Sequence, residues 1–187
     1  MNPIVIEQSP DETRMAFEVH RNSSIVRVRV SRAKVSARSI DDRPDARIGV
    51  GFGFKSKELP GPDRILRLEI LFRVKGTEIA EDGDNSGQTT GDLAPAREPE
   101  QVLAIECAFE VDYALQGDFQ PSPDQVKAFR EGNAVFNVWP FFREYVHNQM
   151  QRMGLPPLTA PFLRIEPRSR HAARRVRRTD PGGTQQA

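Results

Sequence analysis

Cysteine occurs once in this 187-residue chain, at Cys107, which excludes an internal disulfide and suits a reducing cytoplasm. The three histidines, His20, His147 and His171, are too widely separated for zinc-ligand spacing, so no metal site is expected. No stretch approaches the roughly 20 apolar residues of a membrane helix, which argues against membrane insertion. The opening residues form a short apolar run broken by Glu7, Asp11 and Glu12. They have neither the basic start nor the long apolar core of a signal peptide, so a cytoplasmic location is expected. The glycine alternation of GVGFGF (residues 49–54) superficially resembles a phosphate loop. No helix follows it and Lys55 lacks the P-loop context, so it supports no nucleotide site. The carboxylates Glu106 and Glu110 share one strand face, which an exposed sheet surface explains without acid–base chemistry. No catalytic constellation and no cofactor motif emerges, and the chain reads as a non-enzyme.

Hydrophobic residues make up 37% of the chain, and its polar segments account for that lean figure. Net charge is +1 but unevenly placed. From Arg164 onward seven arginines face two acids, giving 7 − 2 = +5 and leaving 1 − 5 = −4 for residues 1–163. Residues 166–187 therefore read as a basic, disordered, solubilising tail. Contact with nucleic acid is the alternative for that tail, but the outward strand faces lack aromatic–basic interleaving. Residues 77–100 are acidic and rich in Gly, Ser, Thr and Pro, and read as a mobile insert. Residues 1–23 are unassigned, with 11–20 open to either a short helix or a leading strand. Residues 24–165 form the folded domain.

Four strands follow from period-two alternation. In residues 24–30 Val26, Val28 and Val30 oppose Arg27 and Arg29. After Ser31-Arg32 the apolar phase slips to Ala33, Val35 and Ala37, which predicts a β-bulge or bend. Ile48, Val50, Phe52 and Phe54 share a face opposite Gly49, Gly51 and Gly53. Leu66, Leu68, Ile70, Phe72 and Val74 point inward, with Arg67, Glu69, Arg73 and Lys75 outward. The fourth strand buries every second residue from Leu103 to Leu115, Cys107 among them as an inert thiol. Strands in series read as an antiparallel meander. A short helix starts at Ser122-Pro123-Asp124 and ends near Gly132-Asn133. The segment AVFNV (residues 134–138) then leads into a main helix opened by Pro140 and closed by a left-handed cap at Gly154. Strands first and helices last predict α+β, with helices on one sheet face.

The most distinctive run is WPFFREYVHNQMQRMGLPPLTAPFLRI, residues 139–165. Phe142, Tyr145, Val146, Gln149, Met150 and Met153 recur at helical spacing, and a proline-stiffened apolar strip follows. Phe141 and Phe142 are adjacent, so they lie on different helix faces and one of them needs a second partner. The WPFFRE motif, the ten-residue spacing to LPPL and Pro161 resemble the SecB family of export chaperones. A weaker similarity extends over residues 24–165. That resemblance implies an ATP-independent holdase, built as a homotetramer from two dimers, which holds unfolded polypeptides in apolar grooves. It implies groove-lining or groove-supporting roles for Trp139, Phe141, Phe142, Tyr145, Leu155, Pro157 and Leu158. The aromatic and methionine content adds Phe52, Phe54, Met150 and Met153 as client-binding candidates, since such side chains suit a surface that accepts many shapes. Arg143 and Glu144 would orient the helix in the assembly. The family offers an acidic patch to the SecA motor, an expected partner, whereas the outward face of the third strand here is largely basic. The acidic insert and the REYV helix resemble SecB-like chaperones dedicated to an antitoxin, which makes an antitoxin-type client the alternative to a general one.

Overall fold

Two serine–proline pairs set where the first helices begin. Ser9 caps the helix α1 (Pro10–Arg21): its hydroxyl accepts from the Glu12 amide while the Glu12 carboxylate accepts from the Ser9 amide. Ser122 and Gln125 repeat the arrangement at α2 (Pro123–Glu131). The computed structural model describes residues 2–38, 47–79 and 101–168. Within them a strand β1 (Ile4–Gln8) precedes α1, so the unassigned N-terminal segment is a strand and a helix. The strands β2 (Ser23–Ala37), β3 (Arg47–Leu59), β4 (Ile65–Ile79) and β5 (Gln101–Leu115) follow, then α2, α3 (Asn133–Arg152) and a final strand β6 (Leu163–Pro167).

The four long strands form one antiparallel sheet in the order β2-β5-β4-β3. This corrects the meander: β3, β4 and β5 are successive neighbours, but β2 lies beside β5, as in a Greek key. Burial explains the order. β4 and β5 carry the two inner rows that are almost wholly buried, from Leu66 to Val74 and from Leu103 to Tyr113, and they take the centre. The mostly exposed β2 and the glycine-rich β3 take the edges. The expected phase slip is present, with the β2–β5 register shifting between Val30 and Arg32. A second shift lies between Ile25 and Arg27. β4 continues to Ile79, three residues into the acidic segment. Residues 80–100 and the arginine-rich stretch from 169 onward lie outside the described residues, with the expectations made for them.

The helices cover the inner face. Helix α3 begins at Asn133, seven residues before Pro140, which lies inside it. This corrects the helix start. Ala134, Val135, Val138, Trp139, Phe142, Val146 and Met150 make one continuous buried stripe, and that burial offsets the hydrogen bond Pro140 cannot donate. The predicted C-terminus is present as a Schellman motif. Gly154 has φ +66°, its amide donates to the Gln151 carbonyl, and the Leu155 amide donates to the Met150 carbonyl. The Phe142 ring stacks on Phe72 at 4.5 Å, and Tyr113 meets Phe129 edge-on at 4.9 Å. Each such buried side chain contributes about 1.5–3 kcal/mol.

Behind the helices, β1 and β6 pair in parallel, from Ile4 opposite Leu163 to Gln8 opposite Pro167. The strand thus runs past residue 165, and the Arg168 amide donates to the Gln8 carbonyl at 2.7 Å. Gln8 is itself buried and donates from Nε2 to the Ala128 carbonyl at 3.0 Å, tying the strand pair to α2. No helix among the described residues is long and apolar enough to cross a membrane.

Candidate functional site

Because β2 is an edge strand, its inner face is covered on one side only, where α3 passes over β5. Between them lies an open hollow of about 240 Å³. Its strand wall is Val28 and Val30, its floor is Phe109, and its helix wall is Phe141, Glu144, Tyr145 and Asn148. The period of α3 produces the helix wall. Phe141, Tyr145 and Asn148 follow at intervals of four and three, on the flank of the buried stripe. Tyr145 is half-buried, its ring edge-on to Phe109 at 6.4 Å. Burial, with the neighbouring Cys107, pushes its phenol above the ordinary range. Phe141 stays 46% exposed and Val30 47%, and farther along β2 Ile25 and Val26 are exposed as well. An apolar hollow beside the free edge of a strand can take apolar side chains and main-chain hydrogen bonds from one extended segment.

The residues singled out from the sequence separate into three groups. Phe141 and Tyr145 line the hollow. Trp139, Phe142 and Met150 are buried in the core and do not line the hollow. The Trp139 indole donates to the Pro161 carbonyl at 3.0 Å, fastening α3 to the crossover. Phe52 and Phe54 lie on β3, at the opposite sheet edge, half-buried against Trp139 and Phe72. They are not brought to the same hollow. Met153, Leu155 and Leu158 pack half-buried on the core near the crossover, with Pro157 exposed. Arg143 stacks its guanidinium 5.1 Å over the ring of Phe162, while Glu144 is exposed at the hollow's rim.

Sequence reasoning did not select Val28, Val30 and Phe109 as site residues, although all three sat on predicted apolar faces. It also missed Phe162, 70% exposed at the end of the crossover. The signal was an aromatic directly after Ala160-Pro161, where the chain turns into β6. Cys107 is fully buried, and burial pushes its thiol up to about 12, consistent with an inert side chain. Among the described residues no three His, Cys, Asp or Glu side chains are grouped to hold a metal.

No family model matches the chain. It is homologous to the SecB-like chaperone Rv1957 of Mycobacterium tuberculosis strain H37Rv, with 31% identity over 103 residues. That match covers 53% of this chain and 52% of the relative. The SecB-like chaperone MT2006 of strain CDC 1551 matches at 30% identity over the same length and the same shares. The chain thus spans about half the length of these relatives. The fold matches that of Mycobacterium tuberculosis Rv1957, solved in complex with a ChAD peptide from the Rv1956 HigA1 antitoxin. The TM-score is 0.62 at 18% identity, covering 82% of this chain and 99% of that one.

Proposed function

We propose, starting from this homology to SecB-like chaperones, that the chain is an ATP-independent holdase that keeps unfolded polypeptides from aggregating. The observation that carries the reading is the open apolar hollow between Val28 and Val30 of β2 and Phe141 and Tyr145 of α3, beside an unpaired strand edge. An unfolded client exposes apolar side chains and unpaired backbone groups, and this site offers a partner to both. Ordering one short segment costs free energy, so each contact is weak. Several copies of the site on a symmetric assembly then hold one long chain by avidity, and release follows the dissociation of individual segments without nucleotide. The chain acts without catalysis and works in the cytoplasm.

A client of antitoxin type is the more specific reading. It is favoured by the relative of matching fold, which was solved with an antitoxin peptide bound. A chaperone dedicated to one client suppresses aggregation of that client and leaves unrelated unfolded proteins untouched. A SecA partnership finds little support, because the outer sheet face is rich in arginine and lysine.

The test is suppression of light scattering by a chemically unfolded protein, with and without nucleotide. Phe141→Ser and Val30→Ser should each lower suppression about threefold or more while leaving the melting temperature nearly unchanged. Trp139→Ala, by contrast, should lower stability by about 3–5 kcal/mol, the ordinary cost of truncating a buried aromatic. Undiminished suppression by the first two variants would place the client elsewhere.

A further inference from the structure

The sheet face turned away from the helices is a grid of charge. Arg27 and Arg67 share Asp112, Arg29 pairs with Glu110, Arg32 and Lys57 share Glu69, and Arg73 pairs with Glu106. Among the described residues, the end of the face nearest Gln101 is not neutralised. Register places Lys34 on β2 opposite Glu106, Glu106 opposite Arg73, and Arg73 opposite Gly53. Adjacent rows place Arg32, Ala108, Leu71 and Lys55 in line, and Ala104, Lys75 and Gly51 in line. Arg32 is taken by Glu69, so four cations, Lys34, Lys55, Arg73 and Lys75, lie around the single carboxylate Glu106, giving 4 − 1 = +3. Lys34, Lys55 and Lys75 are exposed and have no carboxylate partner among the described residues.

The floor between these cations is low. It consists of the buried Ala108, the half-buried Leu71, and Gly51 and Gly53, beyond whose Cα atoms nothing lies within 4 Å of where a Cβ would stand. A hollow of about 170 Å³ opens among Arg32, Lys34, Leu71, Arg73 and Glu106. We infer that this outer face is a second docking surface, which takes an acidic polypeptide segment laid across the strands between the lysines. Charge complementarity identifies the occupant: uncompensated cations around an accessible floor attract carboxylates and steer their approach. Nucleic acid fits less well. The floor carries no aromatic ring on which bases could stack. The face lies on the opposite side of the sheet from the hollow beside α3, so both can be occupied at once. The inference is independent of the proposed chaperone activity.

Fluorescence anisotropy of a labelled oligoglutamate, with the full chain at low salt, tests it. Lys34→Glu/Lys55→Glu/Lys75→Glu should weaken binding about tenfold or more. Lys127→Glu/Arg152→Glu/Arg164→Glu, which changes net charge by the same amount away from this face, should weaken it far less. Circular dichroism checks that both variants are folded. Failure of the unaltered chain to bind oligoglutamate would overturn the inference. So would equal losses in the two variants, as binding at the arginine-rich chain end would give. Tighter binding of a single-stranded oligonucleotide, lost on the same three lysine substitutions, would reassign the face to nucleic acid.

Discussion

Asp112 is 6% exposed on β5, beneath two guanidinium groups. The Arg67 Nε donates to one carboxylate oxygen at 2.7 Å, and Arg27 donates to the other. Those hydrogen bonds, Arg67 first, outweigh desolvation and hold the carboxyl below the usual aspartate range. A folded-state pKa below the unfolded one contributes stability that is fully present above the unfolded value. That stability is lost as pH falls through the folded value. Asp112→Asn should therefore cost about 1–3 kcal/mol at neutral pH, since it leaves the partly buried Arg67 and the exposed Arg27 short of an acceptor. The gap to the unaltered chain should narrow as pH drops below about 4. Urea unfolding at a series of pH values measures it, and a gap that stays constant with pH would show that the carboxylate charge does not contribute.

Helix α3 carries most of the arrangement, and Pro140 lies inside it where no side chain caps an end. A proline in a helix interior removes one backbone donor and crowds the preceding turn, at a cost of about 3 kcal/mol, partly offset by a stiffer unfolded chain. Pro140→Ala should accordingly raise stability by about 1–2 kcal/mol. Thermal unfolding reads the change. A loss instead would mean that the break seats Trp139 on Pro161 and Phe141 over β2, and holdase activity should then fall with it. The parallel β1–β6 pair plays a different part, since its backbone hydrogen bonds join the N-terminal strand to the far end of the crossover.

At the scale of the whole molecule the sheet separates two surfaces of opposite character. One side carries the helices and an apolar hollow at the β2 edge, and the other is a charged lattice. β2 has Ile25, Val26 and Val30 exposed along an edge that, among the described residues, pairs with no strand beyond β5. Apolar side chains exposed beside a strand edge are stabilised when a partner covers them. We propose a tetramer built from two dimers, with the hollows accessible in the assembly. Native mass measurement at micromolar concentration should give a tetramer, with dimers on dilution and one added client mass when a permanently unfolded protein is supplied. A strictly monomeric species would sink the assembly and the avidity that depends on it. Arg143→Ala tests the orienting role proposed for the Arg143-Glu144 pair: tetramer content should fall before holdase activity does.

The sequence determined those features that depend on near neighbours in the chain. Alternation assigned the inner and outer residues of β3, β4 and β5, and the slip after Ser31 marked one register shift in β2, whereas the shift that puts Ile25 rather than Val26 opposite Tyr113 left no sign in the pattern. Gly154 marked the left-handed cap because a glycine accepts positive φ at little cost. The helix α1 is legible too, in the capping signal of Ser9, Pro10 and Glu12. Tertiary structure decided what depends on distant partners. A period of two says which face a residue takes but not which strand lies beside it, so the place of β2 next to β5 followed only from burying β4 and β5 at the centre. Pro140 reads locally as a helix start, yet the buried stripe from Ala134 to Met150 outweighs that signal. Aromatic residues spaced along one helix look alike in sequence. Packing against Phe72 and Pro161 made Trp139 and Phe142 core, and the edge position of β2 left Phe141 exposed and Tyr145 half-buried along the hollow.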